Sequence, residues 1–596
     1  MNPDETPAAP GELSAHPGDP APIDPSRKPP AVTTDEDEPR PTDLTPEQLG
    51  FTPRRGVPWL SPLLLAGTAV RVVLSELFGA YLDKRELQNA LDSRVFDERP
   101  GADDGSELWL DYVADLGDGF NATYSIAYLL AQPSLTVDGT PLPRGRMLVM
   151  GGDQVYPTAS GQQYEDRFKG PYEAALPVPP DGDRPTIYAL PGNHDWYDGL
   201  TAFLRLFSRA GGKVGGWRTG QTRSYFAVEL PHRWWLFAID AQFGAYIDDP
   251  QLRYFQEAAT ALRPGDRVIL CPPNPSWVEA TQDPHVYDSV DYFVRRVIDP
   301  TGAQVRLMLS GDLHHYARYR GPDREMITCG SGGAYLYPTH HLPDQIEVPP
   351  TKTLVRRASP SVPYELAATY PEKSVSRRLA AGVFARLPWR NPGFVSFVGL
   401  VHLLLMLALA NALPRDTGAA EQRLFTIPVV IMAVIVLGGN IAFAMPPAAG
   451  RRRPKHWILG GVHGAAHIGL GVLGAWLWLA LPFHDLPWPL PLVVAALLYL
   501  PVAGLVASQL IALYLLVASV FDVNVNELFA AQGIIDHKGF LRLHLAADGT
   551  LTVYPIAVDR VGRKWRAAPD APRHRPWIEP VRPIAVRMME KPIRMG

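Results

Sequence analysis

Asn193, His194 and Asp195 stand side by side after a Pro-Gly turn in "LPGNHDWYDGL" (residues 190–200). An amide oxygen can enter the coordination shell of a metal, and an imidazole can move a proton near neutral pH. The same trio can also sit on a solvated loop with no chemistry at all. Three further clusters bear on the choice: "DLG" (115–117), "GDQVY" (152–156) and "GDLHH" (311–315). In chain order they offer a carboxylate, a carboxylate, an amide with an imidazole, and a carboxylate with an imidazole. This mixed oxygen and nitrogen set suits Mn, Fe or Zn better than an all-oxygen Ca site. A carboxylate bridging two such ions makes a clamp that activates water, neutralises phosphoryl oxygens and holds attacking and leaving groups.

Each cluster ends a short apolar run. "LWLDYVADLGDG", "RMLVMGGDQVY", "TIYALPGNHD", "WWLFAIDAQ", "RVILCPPNPSW" and "VRLMLSGDLHHY" read as buried strands closing in loops of Asp, Gly, Asn or His. Helix-like stretches lie between several of them. The span from Leu108 to about Tyr337 is therefore an α/β layered domain with its polar groups gathered at strand ends.

At this spacing the clusters resemble the calcineurin-like metallophosphoesterase superfamily, with its pattern D-x-[HG], GD, GNH[DE], a lone His and GHxH. Gly117 in the first motif and Tyr156 in "GDQVY" are most similar to the purple acid phosphatase branch. The resemblance covers roughly Leu108–Tyr337, with the late hairpin as a further part, in a domain bounded at residues 106–345. It implies an α/β (α+β) β-sandwich flanked by helices, and two divalent or mixed-valence transition metal ions (Fe, Mn or Zn). It implies that Asp115 binds the first metal, Asp153 bridges both, Tyr156 supplies a phenolate and Asn193 binds the second. His314 matches a first-metal ligand. His194 would contact phosphate and protonate the leaving oxygen while an activated water attacks phosphorus in line. Asp312 replaces the first His of GHxH and can still ligate. No His stands near "RVILCPPNPSW" where the lone His belongs; Cys271, Asn274 and His285 are the candidates to replace it. Asp118 and Asn121 can contact substrate or cap the helix that follows. His315 can reach a phosphate or hydrogen-bond at the surface.

The rest of the chain divides by composition. Residues 1–50 are acidic and Pro-rich, bury too little to offset their ordering entropy, and read as disordered. They lack the basic start and apolar core of a signal peptide. Residues 51–105 read as a helical region. Within it, 59–80 suits a soluble or membrane-surface amphipathic helix rather than a span, because Arg71 and Glu76 interrupt it. Residues 346–392 read as a basic linker. Four apolar segments then reach the roughly 20 residues that cross a bilayer: 393–413, 424–445, 457–481 and 490–521. The last holds Pro501 and reads as one kinked helix in preference to a tight pair. "RRRPK" (451–455) against the Lys/Arg-free "PFHDLPWP" puts both flanking regions in the cytoplasm. "FLRLHLAADGTLTVYPIAVD" alternates around Asp548-Gly549, a hairpin that returns to the α/β domain across 522–560. Residues 561–596 form a basic, Pro-rich tail, either against anionic lipid or in solvent. His402, His463 and His467 lie inside the apolar region, the last two one turn apart on one helix face. They hold helices together by hydrogen bonds, or make a proton path, a metal or haem site, or a lipid contact.

Only two cysteines occur, Cys271 and Cys329, so no disulfide framework is expected and a reducing compartment fits. A net charge of −5 singles out no partner class, and no nucleic-acid binding is indicated. The expectation is a multi-pass plasma-membrane phosphoesterase with a cytoplasmic catalytic domain. Its substrate is a phosphate ester, with a lipid-linked headgroup suggested by the anchor. The alternative is a degenerate, non-catalytic membrane sensor or scaffold. A transporter is weaker, since the spans show no inverted repeat and few charges.

Overall fold

The computed structural model describes residues 49–64, 67, 88, 93–99, 106–179, 184–241, 246–351, 359–412, 419–446, 452–568 and 572–596. Residues 1–48 and most of 65–105 lie outside the described residues, and with them the expected disordered segment and most of the 59–80 helix.

The short apolar runs form strands because both their faces are covered. β1 (Leu108–Val113), β2 (Met147–Met150) and β3 (Thr186–Ala189) pair in parallel. Every residue of β2 and β3 is buried. β4 (Arg267–Cys271) and β5 (Gln304–Ser310) pair in parallel in a second sheet. Each sheet has nine strands. They share one core, where Leu110, Tyr112 and Val149 from the first meet Leu236, Ile269 and Leu307 from the second. Helices cover the outer faces: α1 (Phe120–Ala131) on the first sheet, Asp249–Ala259 and Asp288–Phe293 on the second. The result is a two-sheet α/β sandwich with helices outside.

β6 (Lys538–Leu545) and β7 (Leu551–Val558) are the late hairpin, and β6 pairs antiparallel with β1 over five residues. The membrane segment is thus inserted in a sheet that closes only after it. A chain ending at Val520 should aggregate or fail to fold. It would strip β6 from β1 and bare the core contacts of Leu541, Leu543, Leu545 and Val553. Size-exclusion elution of the truncated chain as a stable monodisperse species would refute this.

Three expected segments differ in the structure. Residues 51–61 run as a strap with a turn at 59–60 rather than a helix, and helical residues follow at 62–64 and 67. Pro53, Pro58 and Pro62 break helical hydrogen bonding there, while Phe51, Val57 and Leu60 are buried against the domain. Residues 346–392 are not a linker. Gln345–Val348 and Val362–Tyr370 extend the second sheet, followed by α2 (Lys373–Ala380) and α3 (Val383–Arg390). The basic residues Arg377 and Arg378 lie on an exposed face, while Ala380, Val383 and Leu387 face inward. The tail 561–596 is not loose either. Arg587–Met588 and Ile593–Met595 pair with β7, and Trp565 is wholly buried near Phe120 and Tyr124. Its prolines separate short edge strands, where missing N–H groups are tolerated.

Among the described residues, four helices are long and apolar enough to cross a membrane. They are α4 (Pro392–Ala412), α5 (Ala419–Ala444), α6 (Pro454–Ala480) and α7 (Leu490–Val520). α7 runs through Pro501, with a π-helical turn at Ala495–Tyr499 just before it. That extra residue relieves the carbonyl clash a proline brings. α4 and α7 approach so closely that a Cβ on Gly504 would stand 2.5 Å from the Val395 carbonyl oxygen, as small residues allow in membrane interfaces. The bundle docks on the sandwich through Leu336, Leu387, Val398, Leu515 and Leu528.

Candidate functional site

The loops after β1 and β2 run side by side: the amides of Asp115, Leu116 and Gly117 donate to the carbonyls of Gly152, Asp153 and Gln154. Asp115, Asp153 and Asp312 all adopt left-handed backbone (φ 59, 52 and 70°). Such strain costs on the order of 1–3 kcal/mol per residue and concentrates at functional sites. The turn aims three carboxylates at one place. The Tyr156 hydroxyl lies 3.0 Å from Asp115 Oδ1, Asp153 Oδ2 and His314 Nε2 alike. The Asp312 amide donates to Asp115 Oδ1 (3.1 Å) and the His194 amide to Asp153 Oδ1 (3.0 Å). Gly192 is required here, since a Cβ would overlap the Asp153 carboxylate. Asp195 braces the loop, accepting from Tyr164 Oη (2.5 Å) and the Gly192 amide (2.9 Å).

The cluster is short of positive charge. One phenolic proton serves two carboxylates. Burial, then repulsion from Asp153 and Asp312, pushes the Asp115 carboxyl well above its usual range. Burial and the Asp312 charge push Asp153 up to about 8. Asp115 Oδ2 and Asn193 Oδ1 are buried with no hydrogen-bond partner. Burial lowers His314 well below the ordinary imidazole value and brings His194 down to about 4. His194 Nδ1 lies 2.6 Å from the Pro157 carbonyl oxygen, so it carries the proton and leaves Nε2 free.

Asp115, Asp153, Tyr156, His194, Asp312 and His314 thus come together, with Asn193 beside them. Among the described residues no group of three His, Cys, Asp or Glu side chains stands in an arrangement that could hold a metal ion. The Tyr156 hydroxyl occupies the point on which Asp115, Asp153 and His314 converge. With Tyr156 and Asn193 counted as donors, the orphaned buried oxygens and the excess of carboxylates fit a cation.

Three expected substrate contacts are placed elsewhere. Both Asp118 oxygens accept backbone amides, from Val57 (2.7 Å) and Tyr335 (3.0 Å), so the side chain clamps two segments. Asn121 Oδ1 accepts from Trp565 Nε1 (2.9 Å) and ties down the C-terminal strands. Neither caps α1. His315 is wholly buried beside Tyr337 rather than at the surface.

Of the candidates for the lone His, Cys271 lies in the core between the sheets and His285 lies near the surface beside Asp288. Asn274 reaches toward the site through Glu279: its Nδ2 donates to Glu279 Oε2 (2.6 Å), and Glu279 shares a hydrogen bond with Asp312. Burial, with the Asp312 charge, raises Glu279 to about 8. Sequence reasoning missed Glu279, whose one signal is its place on the short helix Ser276–Glu279, two residues past the stretch where the lone His belongs. It also missed Lys538, a buried ammonium without a hydrogen-bond partner, held down to about 8 by burial. Trp59 was missed as well. The strap lays its indole edge-on to Tyr156 and His194 (5.8 Å each) and tilted on Tyr335 (5.4 Å).

No protein-family model matches the chain, and no curated protein does. Among solved structures it is similar to "GAP50 the anchor in the inner membrane complex of Plasmodium", at 15% identity and a TM-score of 0.28, covering 39% of this chain and 74% of that one. A likeness at that level carries no argument. What stands is a mixed α/β membrane protein with four candidate spans and a strained, carboxylate-rich cluster at the strand ends.

Proposed function

We propose that the chain is a membrane-anchored, metal-dependent phosphoesterase built on a metallophosphoesterase-type sandwich. The supporting observation is the convergence of three left-handed aspartates with Tyr156 and His314 at a buried, cation-poor point. Asp115, Tyr156 and His314 would hold one transition metal ion (Fe, Mn or Zn), Asn193 and Asp312 a second, and Asp153 both. When bound, such ions supply Lewis acidity, which activates water and neutralises phosphoryl oxygens. His194 acts from its own geometry. The Pro157 carbonyl fixes its tautomer, and an entering phosphate dianion raises its pKa. Nε2 then holds the proton that the leaving oxygen takes. Trp59 and Tyr335 wall the site above these groups and limit water.

Membrane anchoring favours a lipid phosphate or lipid-linked headgroup as substrate. The basic residues Arg452, Arg453 and Lys455 lie at the start of α6, at the domain end of the bundle, where Lys455 Nζ donates to the Phe521 carbonyl (2.5 Å). By the positive-inside rule the domain then faces the cytoplasm, at the plasma membrane. The test is hydrolysis of generic phosphomonoesters and phosphodiesters by the detergent-solubilised full chain, with Mn, Fe and Zn in turn. Turnover restored by one of these metals after chelation is expected. One observation favours the competing reading, a sensor or scaffold without turnover: the described His, Cys, Asp and Glu side chains close no metal-holding group by themselves. Well-folded protein inert with every metal would establish that reading.

A further inference from the structure

Three histidines inside the bundle take no part in the phosphoesterase reading. α4 carries His402; α6 carries His463 and His467 one turn apart. Their exposures are 2%, 4% and 4%. His402 stands ten residues from the domain end of α4, about 15 Å along the helix, which is halfway through a roughly 30 Å hydrocarbon core. His402 Nε2 is 2.9 Å from His467 Nδ1, and His467 Nε2 is 3.0 Å from His463 Nε2. The Tyr514 ring lies flat on His463 at 3.8 Å, and its hydroxyl donates to Asn524 Oδ1 (2.8 Å) at the domain end of the bundle. These contacts link the rings in one unbroken chain.

Proton counting shows what the chain can do. Three neutral imidazoles carry three N–H protons. Two fill the two N···N contacts, and the third must sit on a terminal nitrogen, His402 Nδ1 or His463 Nδ1. Both of these atoms are buried and neither has a protein partner. An unmet buried polar atom is costly, so each end of the triad is poised to take up or release a proton. Simple helix pairing would need one contact. Here the central ring spends both nitrogens on other imidazoles, so it could ligate a metal ion only by breaking one of these contacts.

We propose that His402, His467 and His463 form the central, mid-depth link of a proton path across the bundle, passing the proton from α4 to α6. The step starts from His402 Nε2–H, His467 Nε2–H and His463 Nδ1–H. A proton binds His402 Nδ1 as the Nε2 proton passes to His467 Nδ1. The His467 Nε2 proton passes to His463 Nε2, and the His463 Nδ1 proton leaves. One proton enters and one departs, every ring ends neutral in its other tautomer, and nothing is oxidised. Ring reorientation restores the starting state.

The test is the full chain reconstituted in liposomes with a trapped pH dye, driven by a potassium gradient and valinomycin. Potential-driven proton entry above that of protein-free vesicles is expected. It should fall to the protein-free level in His467→Gln, which keeps a hydrogen-bonding side chain but cannot relay, and in His402→Gln, which serves if the first variant does not fold. Wild-type flux no greater than in protein-free vesicles overturns the proposal, as does unchanged flux in well-folded variants. A stoichiometric transition metal in the purified protein that is lost in His467→Gln also overturns it, by making the triad a metal site.

Discussion

Replacing Arg542 with methionine is expected to destabilise the sandwich by roughly 3–5 kcal/mol. Arg542 lies on β6 and Asp111 on β1, and both side chains are fully buried. The guanidinium grips the carboxylate with two bonds, Nε to Oδ1 (2.7 Å) and Nη2 to Oδ2 (3.1 Å), and Nη1 donates to the Leu142 carbonyl (2.9 Å). Methionine keeps most of the volume and none of the charge. Asp111 would be left buried with the Gly145 amide (3.1 Å) as its remaining hydrogen-bond donor. The loss comes from that stranded charge rather than from the worth of the pair. The double variant Asp111→Leu/Arg542→Met should therefore recover most of the stability. Thermal unfolding of the solubilised protein, followed by intrinsic fluorescence, reads both. A single variant as stable as wild type, or a double variant no better than the single, would break the argument. The ion pair spans the membrane insertion, joining residues 431 apart in sequence. It is a sensitive gauge of whether the late strands complete the early sheet.

That coupling was half legible in the sequence. Alternation around Asp548-Gly549 marks the hairpin locally, because turn chemistry and period 2 are short-range signals. Its partner strand is not written locally, and Arg542 looks like any polar residue on an alternating strand. The same divide runs through the site. "GDQVY", "GNHD" and "GDLHH" stand out because aspartate and glycine close apolar runs and tolerate the left-handed turn that aims a carboxylate. Glu279, Lys538 and Trp59 reach the cluster across the fold from a short helix, a late strand and the N-terminal strap, with no local pattern to announce them. Asp118 shows the converse. It sits in the right loop for substrate, yet two backbone amides claim both its oxygens. Prolines decide two segments: in 51–61 they rule out the expected helix and leave a strap, and in 561–596 a Pro-rich tail still packs as edge strands. Length alone made the four spans plain.

Asp153→Asn is expected to remove turnover while leaving the fold intact. Asp153 is the one carboxylate that faces both halves of the site. Its Oδ2 meets Tyr156, on the Asp115 and His314 side, and its Oδ1 accepts the amide of His194, beside Asn193. Asparagine preserves the shape, and its side-chain oxygen can still accept the His194 amide. It loses the negative charge that two cations would share. Metal ions supply several kcal/mol of transition-state stabilisation, and losing about 4 kcal/mol of it slows the reaction on the order of 10³-fold. The same change should raise the thermal stability of the metal-free protein at neutral pH. A carboxyl held up to about 8 must take up a proton to fold at neutral pH, a cost that asparagine does not carry. Wild type should gain stability on adding the activating metal, and the variant should gain less. Opposite signs for activity and metal-free stability separate a metal-holding carboxylate from a structural one, which would lose both together. Turnover in Asp153→Asn within a few-fold of wild type would remove Asp153 from the chemistry and the two-ion reading with it.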